Sequence, residues 1–211
     1  MVYHYTAVGD SLTFGIGAMP GSGFVPLYKR MAEKQLQQTV SYHNLGINGL
    51  TSEALYERVR RDSLFRSCIR EANIITISIG GNDLIRAVRS SGGRPDRGKL
   101  DQAIIRCEQN MSGSLGVIRQ LKMDSRRPYM IRAVGLYNPY PSWREADEYV
   151  IRFNRFLIGL DFGGYFRTAD VYSRFKGREQ EMLSIDGVHP STKGHRVIAE
   201  QLSHLGYRPL Y

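Results

Sequence analysis

Four short segments of this chain carry residue types that could break an acyl bond. They are Gly9-Asp10-Ser11-Leu12, Gly49, Gly80-Gly81-Asn82-Asp83 and Asp186-Gly187-Val188-His189-Pro190. A serine hydroxyl such as that of Ser11 is a poor nucleophile until a base takes its proton. Histidine suits that role because it titrates near neutrality, which makes His189 the candidate base. A carboxylate must hold the imidazole in the right tautomer, and Asp186 stands three positions away, within reach of one tight turn. Acyl transfer also needs hydrogen-bond donors for the oxyanion that develops on the attacked carbonyl. Gly49 could offer a bare backbone N–H, Asn82 a side-chain amide, and Ser11 its own N–H. Each segment has a plainer reading when taken singly. Any turn can carry Gly, Asp, Ser or Asn, and histidines are common on surfaces.

The elements that must position these residues alternate along the chain. Tyr3–Val8, Val40–Leu45, Asn73–Ile79, Tyr129–Val134 and Tyr165–Val171 read as strands. The third, Asn-Ile-Ile-Thr-Ile-Ser-Ile, is almost continuously apolar and β-branched, as a parallel strand covered on both faces should be. Helices are expected over Val25–Gln38, with Leu27, Met31 and Leu36 inward, and after a cap at Thr51 or Ser52. Leu100, Ile104, Cys107, Met111, Leu115 and Ile118 mark a long helix. Further helices are expected around Tyr149–Leu160 and over Ser191–Leu205. Ser11–Gly23, Arg86–Gly98 and Tyr137–Trp143 read as loops. This alternation predicts a three-layer α/β/α fold with a mostly parallel sheet. Right-handed crossovers then bring Ser11, Gly49, Asn82 and the Asp186–His189 turn to one edge, outside the carboxyl ends of the strands.

Taken in order and at this spacing, the four segments resemble the blocks of the SGNH hydrolases, the GDSL family of esterases and lipases. The resemblance runs over nearly the whole chain and includes Asn44-Leu45-Gly46-Ile47-Asn48-Gly49. It implies a flavodoxin-like sandwich with five parallel strands in the order 2-1-3-4-5. It also implies Ser11 as nucleophile, His189 as base, Asp186 as its partner, and Ser11, Gly49 and Asn82 as the oxyanion hole, with no metal or cofactor. The implied substrate is a carboxylic ester or lipid, a phospholipid or lysophospholipid included. Carbohydrate O-deacetylase, thioesterase and acyltransferase are the alternatives the same superfamily allows, and a non-catalytic binding protein is the reading from another class. Gly9 to Ala18, Pro20 to Pro26 and Asn44 to Ser52 are similar to compact, signal-less members from Bacillus-type bacteria, which include lipases of spore coats and germination. The Gly-x-Ser-x-Gly elbow of α/β-hydrolases is absent.

Bulk properties bound the remaining choices. The 211 residues, 42% hydrophobic and 23% charged, suit one domain spanning 1–211. No apolar run is long enough for a transmembrane helix. The N-terminus lacks the basic and apolar regions of a signal peptide, so a cytoplasmic or spore-associated protein is expected. Cys68 and Cys107 read as buried thiols. The net charge of +9 favours an anionic lipid or polymer surface, with Arg86, Arg89, Arg94 and Arg97 in one segment that could meet phosphate head groups. No nucleic-acid motif accompanies the charge. Asp10 and Asp83 read as structural turn residues. His195 lies off the helical face of His189, which disfavours a two-histidine metal site. Phe14, Tyr137, Tyr140 and Trp143 are the candidates to line an acyl groove. Oligomeric state leaves no mark in the sequence.

Overall fold

The residues of the third strand, Ile74–Ser78, are buried without exception, and the sheet is built outward from them. A computed structural model describes residues 2–92, 95–123, 125, 127–161 and 163–211, apart from the Arg144 side chain. Five strands form one parallel sheet: β1 (Val2–Gly9), β2 (Thr39–Gly46), β3 (Ile74–Ser78), β4 (Met130–Val134) and β5 (Phe166–Ala169). Their order is 2-1-3-4-5, as expected from the resemblance. Successive strand residues point to opposite faces. Val8, Ile75, Ile77 and Ile131 join one apolar cluster, whereas Tyr5, Ala7, Ile74 and Met130 join the other. β2 lies at the sheet edge, and of its residues only Val40 is buried.

The helices, in chain order, are α1 (Ser11–Phe14), α2 (Phe24–Leu36), α3 (Ser52–Arg61), α4 (Ser63–Glu71), α5 (Gly81–Arg89), α6 (Arg97–Met123), α7 (Arg144–Gly159), α8 (Tyr172–Phe175), α9 (Glu179–Met182) and α10 (Thr192–His204). Helices α3, α4, α6 and α7 cover one face of the sheet, and α2 and α10 the other. Both cysteines are buried free thiols.

Several expectations are corrected. The segment from Ser11 to Gly23 opens with a helical turn, because the Asp10 carboxylate caps α1 by accepting the Leu12 N–H at 3.1 Å. The helix after Thr51 is two helices. Asp62 divides them by capping α4 at the N–H groups of Leu64 and Phe65 while pairing with Arg58. In Arg86–Gly98, Arg86–Arg89 complete α5 and Arg97 begins α6, while Gly93 and Arg94 lie outside the described residues. The buried face of α2 centres on Val25, Tyr28 and Ala32, with Leu27, Met31 and Leu36 on its flank. Helices α8 and α9 fall outside the elements expected from the sequence.

Two glycines let the first βα turn close. Gly9 sits at φ +151°, and a Cβ there would lie 2.3 Å from the Ser78 carbonyl oxygen. A Cβ on Gly46 would lie 2.2 Å from the Phe14 nitrogen, so this glycine lets β2 end flush against α1.

Candidate active site

Ser11 is the first residue of α1, at the carboxyl end of β1, and is 4% exposed. The turn beneath it is held by a buried polar network. Ser78 Oγ donates to Asp10 Oδ1 at 2.8 Å, and Thr13 Oγ1 and Ser78 Oγ share a 2.7 Å hydrogen bond. Burial pushes the Asp10 carboxyl up to about 6, against the lowering pull of its Ser78 and Leu12 hydrogen bonds. Asp10 therefore acts as the turn residue expected of it. Asp83 does the same for another corner: its carboxylate accepts the Ser52 N–H at 3.0 Å and the Ser52 hydroxyl at 2.7 Å.

The Asp186–His189 segment protrudes from a short antiparallel closure, with Leu183 bridged to Pro190 and the Ser184 N–H bonded to the His189 carbonyl at 2.7 Å. Within it Asp186 is saturated. Its Oδ1 accepts the N–H groups of Val188 and His189, each at 2.9 Å, and the Ser184 hydroxyl at 2.8 Å. Its Oδ2 lies 2.6 Å from His189 Nδ1. Desolvation opposes ionisation of Asp186. The hydrogen bonds from His189, Val188 and Ser184 outweigh it and hold the carboxyl well below the usual carboxylate range. A carboxylate can only accept, so Nδ1 carries the proton and Nε2 is left with a lone pair. That lone pair faces Ser11 Oγ at 3.0 Å. Ser11, His189 and Asp186 are thus one hydrogen-bonded chain across 178 positions of sequence.

The donor candidates gather around the same corner. The Asn82 side chain, in the first turn of α5, donates to the Leu50 carbonyl at 3.0 Å, and its second N–H has no acceptor among the described residues. Gly49 takes φ +75°, and its carbonyl accepts Arg86 Nη2 at 3.1 Å. Together with Asp83–Ser52, these bonds clamp the Gly49 turn onto α5. Among the described residues, neither the Ser11 N–H nor the Gly49 N–H has an acceptor within the protein.

A cavity of about 560 Å³ opens beside Ser11 and His189. Its walls come from α5, α6, α7 and the loop after β4, with Ile79, Leu84, Val88, Leu136, Trp143 and Val150 among them. Tyr137 and Tyr140 line it as expected, whereas Phe14 lies outside it, 58% exposed, because α1 points that side chain away. Arg89 reaches the cavity, and Arg97 instead faces Glu148 at 3.9 Å. His195 is fully buried. Its Nδ1 accepts the Phe24 N–H at 3.2 Å and its Nε2 donates to the Ile16 carbonyl at 2.9 Å, so both ring nitrogens are spent on the 16–24 segment.

Two contributions escaped sequence reasoning. Ser184 buttresses Asp186, a short-range side-chain contact that two-residue spacing could have suggested. The Tyr137 hydroxyl donates to the Val188 carbonyl at 2.6 Å and so fastens the loop after β4 to the histidine turn. No sequence signal links positions 51 apart in this way. Burial, with the charges of Asp10 and Asp186, pushes the Tyr137 hydroxyl well above its ordinary range and keeps it a donor.

Comparison with known proteins agrees with this architecture. The profile of the GDSL-like Lipase/Acylhydrolase family matches residues 7–197. The chain is 39% identical over 209 residues to the spore germination lipase LipC of Bacillus licheniformis, covering 98% of each. It superimposes on the crystal structure of the lipase Lip_vut3 from a goat rumen metagenome with TM-score 0.93 and 37% identity, covering 99% of this chain and 100% of the other. A mutant of Axe2, an acetyl-xylooligosaccharide esterase of Geobacillus, shares the fold at TM-score 0.71 and 18% identity, covering 99% of this chain and 96% of that one. By sequence, by fold and by the blocks that carry its polar corner, the chain belongs to the GDSL-like lipase/acylhydrolase family.

Proposed function

We propose that this protein is a serine hydrolase of carboxylic esters, acting on acyl chains longer than acetyl. The observation that carries the reading is the relay of Ser11 Oγ, His189 Nε2, His189 Nδ1 and Asp186 Oδ2, with links of 3.0 and 2.6 Å. Ser11 Oγ attacks the ester carbonyl carbon as its proton passes to His189 Nε2. Asp186 stays ionised and stabilises the imidazolium that forms. The carbonyl oxygen becomes an oxyanion, received by the N–H groups of Ser11 and Gly49 and by the free N–H of Asn82. Collapse breaks the bond to the leaving alkoxide, which takes the proton from His189. Water then attacks the acyl-serine by the same route, its proton going to His189 and thence back to Ser11.

The apolar walls of the 560 Å³ cavity supply the acyl site in this reading. Tyr137 is a positioning residue, holding the His189 turn through Val188. The name of the relative LipC supports a lipase-type substrate and a setting in spore germination. The testing experiment is kcat/KM across p-nitrophenyl esters from acetate to palmitate, with Ser11→Ala as control. A maximum at medium or long chains with about 10⁴- to 10⁶-fold loss in Ser11→Ala supports the reading. A maximum at acetate with steep decline favours deacetylation of a polar substrate, and full activity in Ser11→Ala refutes the mechanism.

A further inference from the structure

Helix α5 links the catalytic corner to a second polar group of the cavity. Asn82 stands in its first turn, and Arg89 ends it. Seven positions make two turns, so the two residues share one face of the helix, about 10 Å apart along its axis. Ile85 lies between them on that face with Val88 beside it, and all four residues line the cavity. A long side chain on a helix leans towards the N-terminus, which brings the Arg89 guanidinium back along this face towards Asn82.

Arg89 is half-buried and makes no hydrogen bond or ion pair among the described residues. Its neighbours are committed elsewhere. Arg86, one turn earlier, is spent on the Gly49 carbonyl at 3.1 Å. Asp101 and Glu108 of α6 are taken by Arg152, and Glu148 of α7 faces Arg97. Apart from Asp10 and His189 at the catalytic corner, Arg89 is the one charged side chain among the described residues of the cavity lining. Trp143, also in the lining, holds a buried indole N–H with no acceptor among the described residues. Both groups donate only, so what satisfies them must bring acceptor oxygens. A guanidinium beside apolar walls, without a counterion, gains most from a carboxylate.

We propose that Arg89 is a specificity-determining residue that receives a carboxylate at the far end of the acyl chain. The preferred ester is then a half-ester of a medium-length dicarboxylic acid. Its ester carbonyl sits at Ser11 and Asn82, its methylenes run along Ile85 and Val88, and its distal carboxylate accepts from the guanidinium. The apolar residues between the two ends assign the anion to the acyl chain, since a glycerol-type alcohol would set hydroxyls against Ile85 and Val88. A spacing of about 10 Å along α5, shortened by the lean of the side chain, suits an acyl chain the size of octanedioic acid. The inference deepens the ester-hydrolase reading and rests on it for the reaction, while the anion site is separable from the chemistry.

The test pairs kinetics with binding on the whole protein. kcat/KM is measured for p-nitrophenyl octanoate and for the mono-p-nitrophenyl ester of octanedioic acid in wild type, Arg89→Gln and Arg89→Leu. The quantity read is the ratio of the acidic ester to the neutral one, in which a general loss of activity cancels. Calorimetric titration with octanedioate and with octanoate reads the site without turnover. A charge-assisted hydrogen bond at a half-exposed site is worth about 5- to 50-fold, so the ratio should fall by that factor in both variants. Octanedioate should bind wild type more tightly than octanoate and lose that advantage in the variants, and the wild-type ratio should fall as salt is raised. The proposal is overturned if the ratio is the same in all three proteins, or if octanedioate binds wild type no more tightly than octanoate. It is also overturned if Arg89→Gln loses instead a preference for octanoyl glycerol phosphate over octanoyl glycerol, which puts the anion on the alcohol side. Dicarboxylate binding that depends on Arg89, with no ester turnover, would sink the hydrolase reading and leave the anion site standing. Ester turnover with an unmoved ratio would do the reverse.

Discussion

Replacing Tyr137 by Phe probes how firmly the histidine turn must be held. The ring stays, so the cavity wall and its contact with Phe175 are kept. What is lost is the 2.6 Å hydrogen bond to the Val188 carbonyl, one residue from His189. No other donor to that carbonyl occurs among the described residues, so the variant leaves it unsatisfied. A hydrogen bond of this kind is worth about 1 kcal/mol net, and a stranded partner costs about 1–3 kcal/mol. If the loss is relieved by movement of the turn, His189 Nε2 leaves its 3.0 Å station beside Ser11 Oγ. A positioning error near 1 Å can cost about 100-fold in rate. The expected outcome is a fall in kcat of about 5- to 50-fold on a p-nitrophenyl ester, with KM changed less than about twofold, because the wall is intact. The slope of activity against acyl length should also be unchanged. A kcat within error of wild type would refute the role, and a rise in KM alone would make Tyr137 a wall residue only.

Other outcomes follow from the same geometry. Asn82→Ala removes one oxyanion donor and the tie to Leu50, so kcat should fall about 10²- to 10³-fold in steady-state assays. Asp10→Asn keeps an acceptor for Leu12 and Ser78 but removes a carboxyl whose folded-state value, about 6, lies above its unfolded 3.8. Between those values the folded state holds the proton more tightly, so ionisation of Asp10 erodes stability as pH rises through that window, by about 3 kcal/mol in all. Denaturant titrations should show the variant gaining on wild type from pH 4 to pH 6, and a constant difference would contradict the burial argument. Burial lowers the His195 value, which gives the opposite slope below the unfolded value of 6.5, but that contribution is common to both proteins and cancels. His195→Phe strands the Phe24 N–H and the Ile16 carbonyl, so unfolding free energy should drop by roughly 2–4 kcal/mol.

What could be read from the chain and what could not divide along a physical line. The strands were legible because their side chains must satisfy two buried faces at once, which leaves Ile74–Ser78 little freedom of composition. The polar corner was legible because acyl transfer demands particular groups and the α/β crossover rule brings strand ends to one edge. Asp186 and His189 were readable as a pair because a single turn joins them. Local competition was harder to see. The Asp62 cap splits one amphipathic pattern into α3 and α4, and the Asp10 cap turns a glycine-rich stretch helical at its start. The type of Phe14 suits an acyl wall, yet its position on α1 faces it outward. The Tyr137–Val188 tether was beyond reach, since a hydroxyl-to-carbonyl bond between distant loops requires no pattern at either end.

If Ser11 is the nucleophile activated by His189 and Asp186, a fluorophosphonate ester should modify it covalently. Intact and peptide mass spectrometry after exposure to such an ester, run on wild type, Ser11→Ala and His189→Ala, reads this out. One phosphonyl adduct is expected on the Ser11 peptide of wild type, none in Ser11→Ala, and a much slower adduct in His189→Ala. A wild type that never labels, or an adduct that survives at another serine in Ser11→Ala with ester hydrolysis intact, would contradict the role of Ser11.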